Sequence, residues 1–180
     1  MRRVLFVAVA ALVAGCGASS APTATSFPKV TLGGVGGVLP GTPLRVVRKK
    51  WEVRLPTAVQ QPGGEAYGYA PVCIGAVRGI VGFTGANLSG DVTRNLTFNW
   101  AVFTAGVQTD TGIRIGSSAA DVRRIYGRKL RGDVAHHELR IISARAPRTT
   151  IIFELDGNRV TEIGFGARGE VDMDTWRASC

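Results

Sequence analysis

The pattern of apolar positions predicts two short amphipathic helices, each following a glycine-containing turn. The stretch GVLPGTPLRVVRKKW (37–51) aligns without gaps on GIRIGSSAADVRRIY (112–126). In both copies apolar residues recur at i, i+3 and i+7, which places them on one helix face. These residues are Leu44, Val47 and Trp51 in the first copy and Ala119, Val122 and Tyr126 in the second. The self-similarity predicts two tandem repeats.

A hydroxyl residue stands at the expected start of each helix, Thr42 in the first copy and Ser117 or Ser118 in the second. Ser118 followed by Asp121 also fits a capping box. A glycine turn before a helix can instead bind phosphate, but the second copy lacks the Gly-Lys-Ser/Thr ending of a P-loop. Pro43, expected at the first helical position, has no N–H to offer a ligand. Helix capping is therefore favoured over anion binding.

Segments with strand character follow each helix. In the first half they are Cys73–Phe83 and Asn95–Gly106, and in the second half His137–Ser143, Thr149–Leu155 and Arg159–Ala167. Within Asn95–Gly106, alternation predicts that Phe98, Trp100 and Val102 share one face. An Asp-Gly pair in Leu155–Asn158 indicates a hairpin, whereas Leu55–Tyr69 is expected to be a loop. The predicted fold class is α+β, with each repeat a short helix followed by an antiparallel meander.

The second copy, preceded by a strand and closed by FELDGNRVTEIGFG (153–166), resembles the helix-then-sheet unit of the β-lactamase-inhibitor-protein-like fold. Small bacterial lipoproteins of the outer-membrane-assembly type are similar in the same unit. The resemblance covers the last third of the chain, and the first half joins it only through the internal repeat. It implies two tandem units and a tendency to bind proteins. No motif carries over an inhibitory contact residue, so inhibition of a β-lactamase is not implied.

The N-terminus has the layout of a secretory signal peptide. Arg2 and Arg3 precede the apolar run Val4–Ala14, which is shorter than the about 20 residues that span a bilayer. The sequence LVAGC, ending at Cys16, resembles a bacterial lipobox, in which the Gly-Cys bond is cut and the cysteine is lipidated. The alternatives are an ordinary signal peptide with a nearby cysteine, or a twin-arginine signal in place of the general secretory route. We expect a lipoprotein held on the extracytoplasmic side of the cell membrane.

The resulting domain organisation has four parts. Residues 1–15 are the expected signal peptide, and residues 16–30 are the lipidated Cys16 and a flexible tether rich in small polar residues and proline. Residues 31–106 and 107–180 are the expected first and second α+β repeats. Because the chain is expected to be exported, nucleic acid is not expected as a partner.

The two cysteines beyond Cys16, Cys73 and Cys180, have no reducing pool to keep them free in an exported protein. A disulfide between them would close a long loop and stabilise the fold by about 4–5 kcal/mol in the chain-entropy model. Two separate thiols remain the alternative, because Cys180 is the last residue and chain ends fray.

No arrangement of residues indicates catalysis or a metal, and no cofactor is expected. His136 and His137 are neighbours, which on a strand point to opposite faces and are poorly placed to share a metal. The acidic run Glu170–Asp174 lacks the glycine and the distal Glu of an EF-hand loop. Nucleophile motifs such as Gly-x-Ser-x-Gly are absent from the sequence.

The chain is basic, with 22 Lys and Arg against 13 Asp and Glu. Basic residues concentrate on the two predicted helices, in Arg45–Arg54 and Arg123–Arg131. These runs are either the solvated faces of amphipathic helices or a surface for anionic lipid or cell-wall polymer. We expect a non-enzymatic, membrane-anchored protein-interaction module. The alternative function is an envelope ligand-binding or sensor module that uses the basic helices.

Overall fold

An eight-stranded antiparallel sheet forms the frame of the fold, with two short helices and a small three-stranded sheet packed against it. The computed structural model describes residues 28–51, 53, 56–60, 65–74, 76–86, 95–133, 138–142 and 149–167. Within these residues the fold is α+β and mostly antiparallel, as the sequence predicted. No described helix has the length and apolar character needed to cross a membrane.

In chain order the elements are β1 (Lys29–Thr31), β2 (Gly34–Val35), α1 (Leu44–Trp51), β3 (Thr57–Gln60), β4 (Glu65–Ile74), β5 (Val77–Ala86), β6 (Thr97–Ala105), β7 (Gln108–Thr109), α2 (Ala119–Tyr126), β8 (Leu130–Asp133), β9 (Glu138–Ile142), β10 (Thr149–Asp156) and β11 (Arg159–Ala167). The large sheet has the strand order β3-β4-β5-β6-β11-β10-β9-β8, and the small one has the order β2-β1-β7. The large sheet thus consists of two four-stranded meanders that meet where β6 pairs with β11.

One continuous core fills the space between the large sheet and both helices. The apolar faces of α1 and α2 are buried as their spacing predicted, at Leu44, Val47, Trp51, Ala119 and Val122. The Trp51 ring meets the Phe98 ring of β6 edge-on, with 5.4 Å between centroids. At the other end of the sheet, the Tyr126 ring packs on the Phe153 ring of β10, with a centroid separation of 5.6 Å. Both helices therefore cover the same face of the sheet.

Three backbone hydrogen bonds fix the start of α1 to β6. The N–H of Gly41 donates to the carbonyl of Phe98 at 2.8 Å, and the N–H of Phe98 donates to the carbonyl of Thr42 at 2.7 Å. The N–H of Leu44 donates to the carbonyl of Leu96 at 2.9 Å. Because the first N–H groups of a helix have no partner within the helix, the last of these bonds satisfies the N–H of Leu44, which would otherwise be orphaned.

The start of α2 is fixed to β11 by the same kinds of bond. The N–H of Gly116 donates to the carbonyl of Val160 at 2.7 Å, and the N–H of Val160 donates to the carbonyl of Ser117 at 2.9 Å. The N–H of Ala119 donates to the carbonyl of Asn158 at 2.8 Å. Gly116 has a φ of +87°, as does Gly41 before α1, which is a conformation that favours glycine at both turns.

The predicted hydroxyl cap is confirmed for α2 and is wrong for α1. Ser118 Oγ accepts a hydrogen bond from the N–H of Asp121 at 3.0 Å and donates to Asp121 Oδ2 at 2.7 Å. Thr42 lies one residue too early to cap α1, which begins at Leu44. Its hydroxyl instead accepts from the N–H of Leu39 at 3.1 Å and closes the preceding turn.

Two expectations for the first half are wrong. Leu55–Tyr69, expected to be a loop, contains β3 and the start of β4. Cys73–Phe83, expected to be one strand, contains the end of β4 and most of β5, joined by a turn at Ala76. Glycine and proline in these segments have low strand propensity, but small residues on β4 face the crowded core and fit there. The predicted strands of the second half are confirmed within a residue or two.

The predicted side-chain alternation of β6 is also wrong, because the strand contains a bulge at Asn99. Phe98 pairs with Phe83, whereas Trp100 pairs with Gly82, so Asn99 has no opposite residue on β5. A bulge changes the face to which the following residues point. Phe98 accordingly belongs to the core under the helices, while Trp100 lies on the opposite face of the sheet.

The strand β1 begins at Lys29, so the last two residues assigned to the tether belong to the folded part of the chain. Val30 is fully buried in the core, which explains why this end of the segment is held. β1 pairs in parallel with β7 and antiparallel with β2. The turn after β1 is tied to the large sheet, since Thr149 Oγ1 donates to the carbonyl of Leu32 at 2.6 Å.

The capping contact predicts a specific loss of stability. Replacing Ser118 with Ala removes the acceptor for the N–H of Asp121 and is expected to lower the free energy of unfolding by about 1 kcal/mol, measured by urea denaturation at pH 7. Ser118→Thr keeps the hydroxyl and serves as the control. A Ser118→Ala protein as stable as the parent would contradict the assignment.

Candidate functional site

The face of the large sheet that turns away from both helices is the candidate site, and we call it the second face. Its apolar residues form a cluster separate from the main core, with Val102 and Ile152 buried and Trp100 packed against them. Gly164 pairs with both Val102 and Ile152 and lies between them. Because Gly164 has no side chain, its two neighbours can meet across it.

Half-exposed aromatic and aliphatic side chains stand beside this cluster, on strands β4 to β6. We call Tyr67, Tyr69, Ile80 and Trp100 the aromatic patch, and all four are partly exposed. The rings of Tyr69 and Trp100 lie 5.9 Å apart between centroids, at an interplanar angle of 49°. The Tyr67 hydroxyl donates to Glu65 Oε2 at 2.6 Å, which fixes that ring at the strand end.

Gly82 holds the Trp100 ring in place by having no side chain. The two residues are paired across β5 and β6, and a Cβ atom at Gly82 would overlap the indole ring. The ring therefore lies against the backbone of β5 at Gly82 and stays partly exposed. Side chains carried on paired strands and packed in this way are preorganised for contact with a partner.

Two carboxylates lie opposite each other further along the second face. Glu154 of β10 pairs directly with Glu162 of β11, and Glu154 is only 6% exposed. Glu162 Oε2 is buried and has no hydrogen-bond partner among the residues that the structure describes. Burial raises the pKa of the Glu162 carboxyl above its ordinary value of 4.5. The described side chains contain no group of three or more His, Cys, Asp or Glu that could hold a metal ion.

A separate cleft of about 370 Å³ lies where the β4–β5 turn meets β7. It is lined mainly by backbone and small or apolar side chains, among them Ala76, Val107 and Ile115, with Gln108 and Arg114 as its polar members. This volume is at the lower end of the range for ligand pockets.

The described residues include only part of the sequence-predicted site. Cys73 lies in β4, where its backbone pairs with Arg78. Cys16 and Cys180 lie outside the described residues, so lipidation and the disulfide stay predictions. His136, His137 and the acidic run Glu170–Asp174 also lie outside them.

Sequence reasoning missed the aromatic patch because half of it falls in the segment expected to be a loop. The signal was present in Glu65–Val72, where small residues alternate with larger ones. Ala66, Gly68 and Ala70 face the core, while Tyr67 and Tyr69 lie between them and are half-exposed. This alternation indicates a strand whose larger residues point away from the core.

Comparisons of the chain with protein-family models, with curated proteins and with solved structures give no match.

Replacing the charged Glu162 carboxylate by a neutral group is expected to stabilise the fold, by an amount that depends on pH. An acid whose pKa is raised by folding weakens the folded state once the pH exceeds its ordinary pKa of 4.5, and this effect is absent at lower pH. We expect Glu162→Gln to raise the free energy of unfolding at pH 7 by about 1 kcal/mol, and by less at pH 4, measured by urea denaturation.

Asp121→Asn is a control with the opposite sign. The hydrogen bond from Arg124, followed by the one from Ser118, lowers the pKa of the Asp121 carboxyl below 3.8. Its contribution to stability is present above pH 3.8 and is lost as the pH falls further. Equal effects of the Glu162 substitution at both pH values would show that the charge is not the cause.

Proposed function

We propose that this chain is an extracytoplasmic lipoprotein, anchored through Cys16, that binds a protein partner through the aromatic patch. The observation that carries the proposal is a set of half-exposed aromatic residues on the sheet face opposite the helices. Tyr and Trp are enriched among the residues that dominate protein–protein binding energy. Both present an apolar ring together with a polar group, which suits a surface that is alternately wet and covered.

A protein partner fits this face better than a small molecule. The patch lies on paired strands of an open sheet, while the cleft of about 370 Å³ is lined by other residues and contains none of the patch. Small-molecule sites are concave and enclose most of their ligand. An aromatic centre on an open sheet face matches the composition of a protein interface.

Polar residues surround the aromatic patch, as a protein interface requires at its rim. Thr84 is half-exposed on β5, and Thr104 is exposed on β6. The exposed Glu65 begins β4 and holds the Tyr67 hydroxyl. An apolar centre with a polar rim excludes water from the central contacts when the partner binds.

We also propose that the chain consists of two tandem helix-then-sheet units, as in the fold it resembles. Two kinds of observation support this. Equivalent hydrogen bonds attach α1 to β6 and α2 to β11. The strand order of the large sheet also reads outward from the β6–β11 pair as two meanders. In this proposal the second face is shared by both units, with the aromatic patch on the first and the paired carboxylates on the second.

The partner-binding proposal is tested by capture from the native envelope with a crosslinker and mass spectrometry. We expect one dominant protein to be crosslinked to the parent chain. Trp100→Ala should lower the yield of this crosslinked protein by about tenfold, as for loss of a central hot-spot residue. Tyr67→Ala, at the edge of the patch, should give a smaller decrease and guards against misfolding of the Trp100 variant.

Ile125→Ala is the matched control. Ile125 is 36% exposed and lies on α2, so its removal deletes apolar surface on the helical side of the molecule. Capture that falls equally in the Trp100 and Ile125 variants would refute binding through the patch. If neither Trp100→Ala nor Tyr67→Ala lowers the capture of the partner, binding through the patch is also refuted.

The proposed anchor gives a separate prediction. Cys16→Ala removes the thiol that would carry the lipid, so we expect most of the protein to leave the membrane fraction. Fractionation and immunoblotting measure this loss. Cys73→Ala is the matched control and should stay in the membrane fraction. Retention of the Cys16 variant in the membrane would exclude lipid attachment at this residue as the anchor.

A further inference from the structure

The outward sides of the two helices carry a dense group of cations. Eight exposed basic residues belong to α1, to α2 or to the turn directly after α2, and we call them the basic surface: Arg45, Arg48, Lys49, Lys50, Arg123, Arg124, Arg128 and Lys129. Since the apolar sides of both helices pack on the same sheet face, these cations lie on the side of the molecule away from the second face.

Asp121 is the one acidic residue of α1, of α2 and of the turn directly after α2. The ion pair formed there joins Arg124 Nη2 to Asp121 Oδ1 at 2.6 Å. Lys50 Nζ donates to the carbonyl of Gly37, and Arg48 Nε donates to the carbonyl of Val53, so both keep their net charge. Such a surface attracts a polyanion over a distance of about 8–10 Å at physiological salt.

The chain enters the fold on the same side as the basic surface. The first described strand, β1, belongs to the small sheet, and Val30 at its centre is buried in the core shared with both helices. Lys29 precedes it and is exposed. The segment that connects β1 to Cys16 therefore joins the folded part on its helical side.

We propose that the basic surface lies against the anionic lipid of the membrane that holds the anchor. The orientation of the protein in this proposal rests on the lipid anchor proposed above. Basic residues next to a bilayer containing acidic lipids are each attracted to its negative surface potential. In this orientation the aromatic patch points away from the bilayer and is accessible to a partner.

The distribution of lysines allows a direct test. The four lysines of the chain, Lys29, Lys49, Lys50 and Lys129, are all exposed and lie on β1, on α1 or just after α2. The full chain is mixed with vesicles of phosphatidylcholine, with or without phosphatidylglycerol, and treated with an amine-acylating reagent. Mass spectrometry then gives the acylation rate of each lysine.

We expect phosphatidylglycerol to slow the acylation of Lys49 and Lys129 by about tenfold, and high salt to abolish the protection. The double reversal Arg45→Glu and Arg123→Glu should remove most of it. The single reversal Arg78→Glu is the matched control for Arg45→Glu alone, because it changes net charge equally but acts on an exposed residue of β5 whose strand position faces away from the helices. It should preserve the protection.

Three outcomes would overturn the proposal. Equal acylation with and without phosphatidylglycerol would show that the surface does not meet anionic lipid. Equal loss in Arg45→Glu and in Arg78→Glu would reduce the effect to net charge alone. Protection by a soluble anionic wall polymer, but not by phosphatidylglycerol vesicles, would assign the surface to the polymer. The same protein preparation is used with both types of vesicle. The difference in acylation between them therefore does not depend on lipidation of Cys16 or on the partner.

Discussion

The pairing of β6 with β11 is the contact on which the rest of the architecture depends. It joins the two meanders into one sheet through four residue pairs, Phe103–Ile163, Val102–Gly164, Ala101–Phe165 and Trp100–Gly166. Each of the two strands also receives the start of one helix. The pairing therefore sets the positions of both helices over a common core, and it determines which residues of both strands face away from them.

The alternation at this pairing gives the two faces of the sheet different compositions. On the helical side, Phe103, Ile163 and Phe165 are fully buried, and the Phe98 and Phe165 rings stack with centroids 6.2 Å apart. On the second face, Gly164 and Gly166 of β11 lie opposite Val102 and Trp100 of β6, so large side chains are sparse there. A core built of large rings and a second face of sparse, half-exposed aromatics suit stability and binding, respectively.

The molecule thus separates three physical tasks by position. Apolar burial between sheet and helices stabilises the fold, the outward sides of the helices concentrate positive charge, and the second face presents aromatic surface. In the proposed orientation the charge meets the membrane and the aromatic surface meets the partner. Neither surface has to change shape to act, since each is carried on elements held by backbone hydrogen bonds.

The sequence predicted the parts of the fold that depend on local patterns. Both helices follow from the spacing of apolar residues, and the cap at Ser118 follows from its distance to Asp121. The strands of the second half follow from β-branched runs and the Asp-Gly turn. These features were predictable because neighbouring residues alone determine them.

The features that were missed depend on residues distant in sequence. The bulge at Asn99 exists because β6 must match β5, so alternation within β6 alone placed Phe98 and Trp100 on the same face. The start of β4 was missed because QQPGGE (60–65) indicated a loop across Leu55–Tyr69, although Gly68 fits beside Leu96 and Pro56 in the folded chain. The aromatic patch required both pieces of information, which is why it could not be predicted from local sequence.

Hydroxyl-radical oxidation measures directly whether the second face is covered by a partner. The protein in its native envelope is compared with the same protein on partner-free anionic vesicles. Both samples have a membrane, so the comparison isolates the partner. We expect Tyr69 and Trp100 to be protected in the envelope and oxidised on the vesicles. Equal oxidation of these two residues in both samples would contradict the central claim that the second face binds a protein.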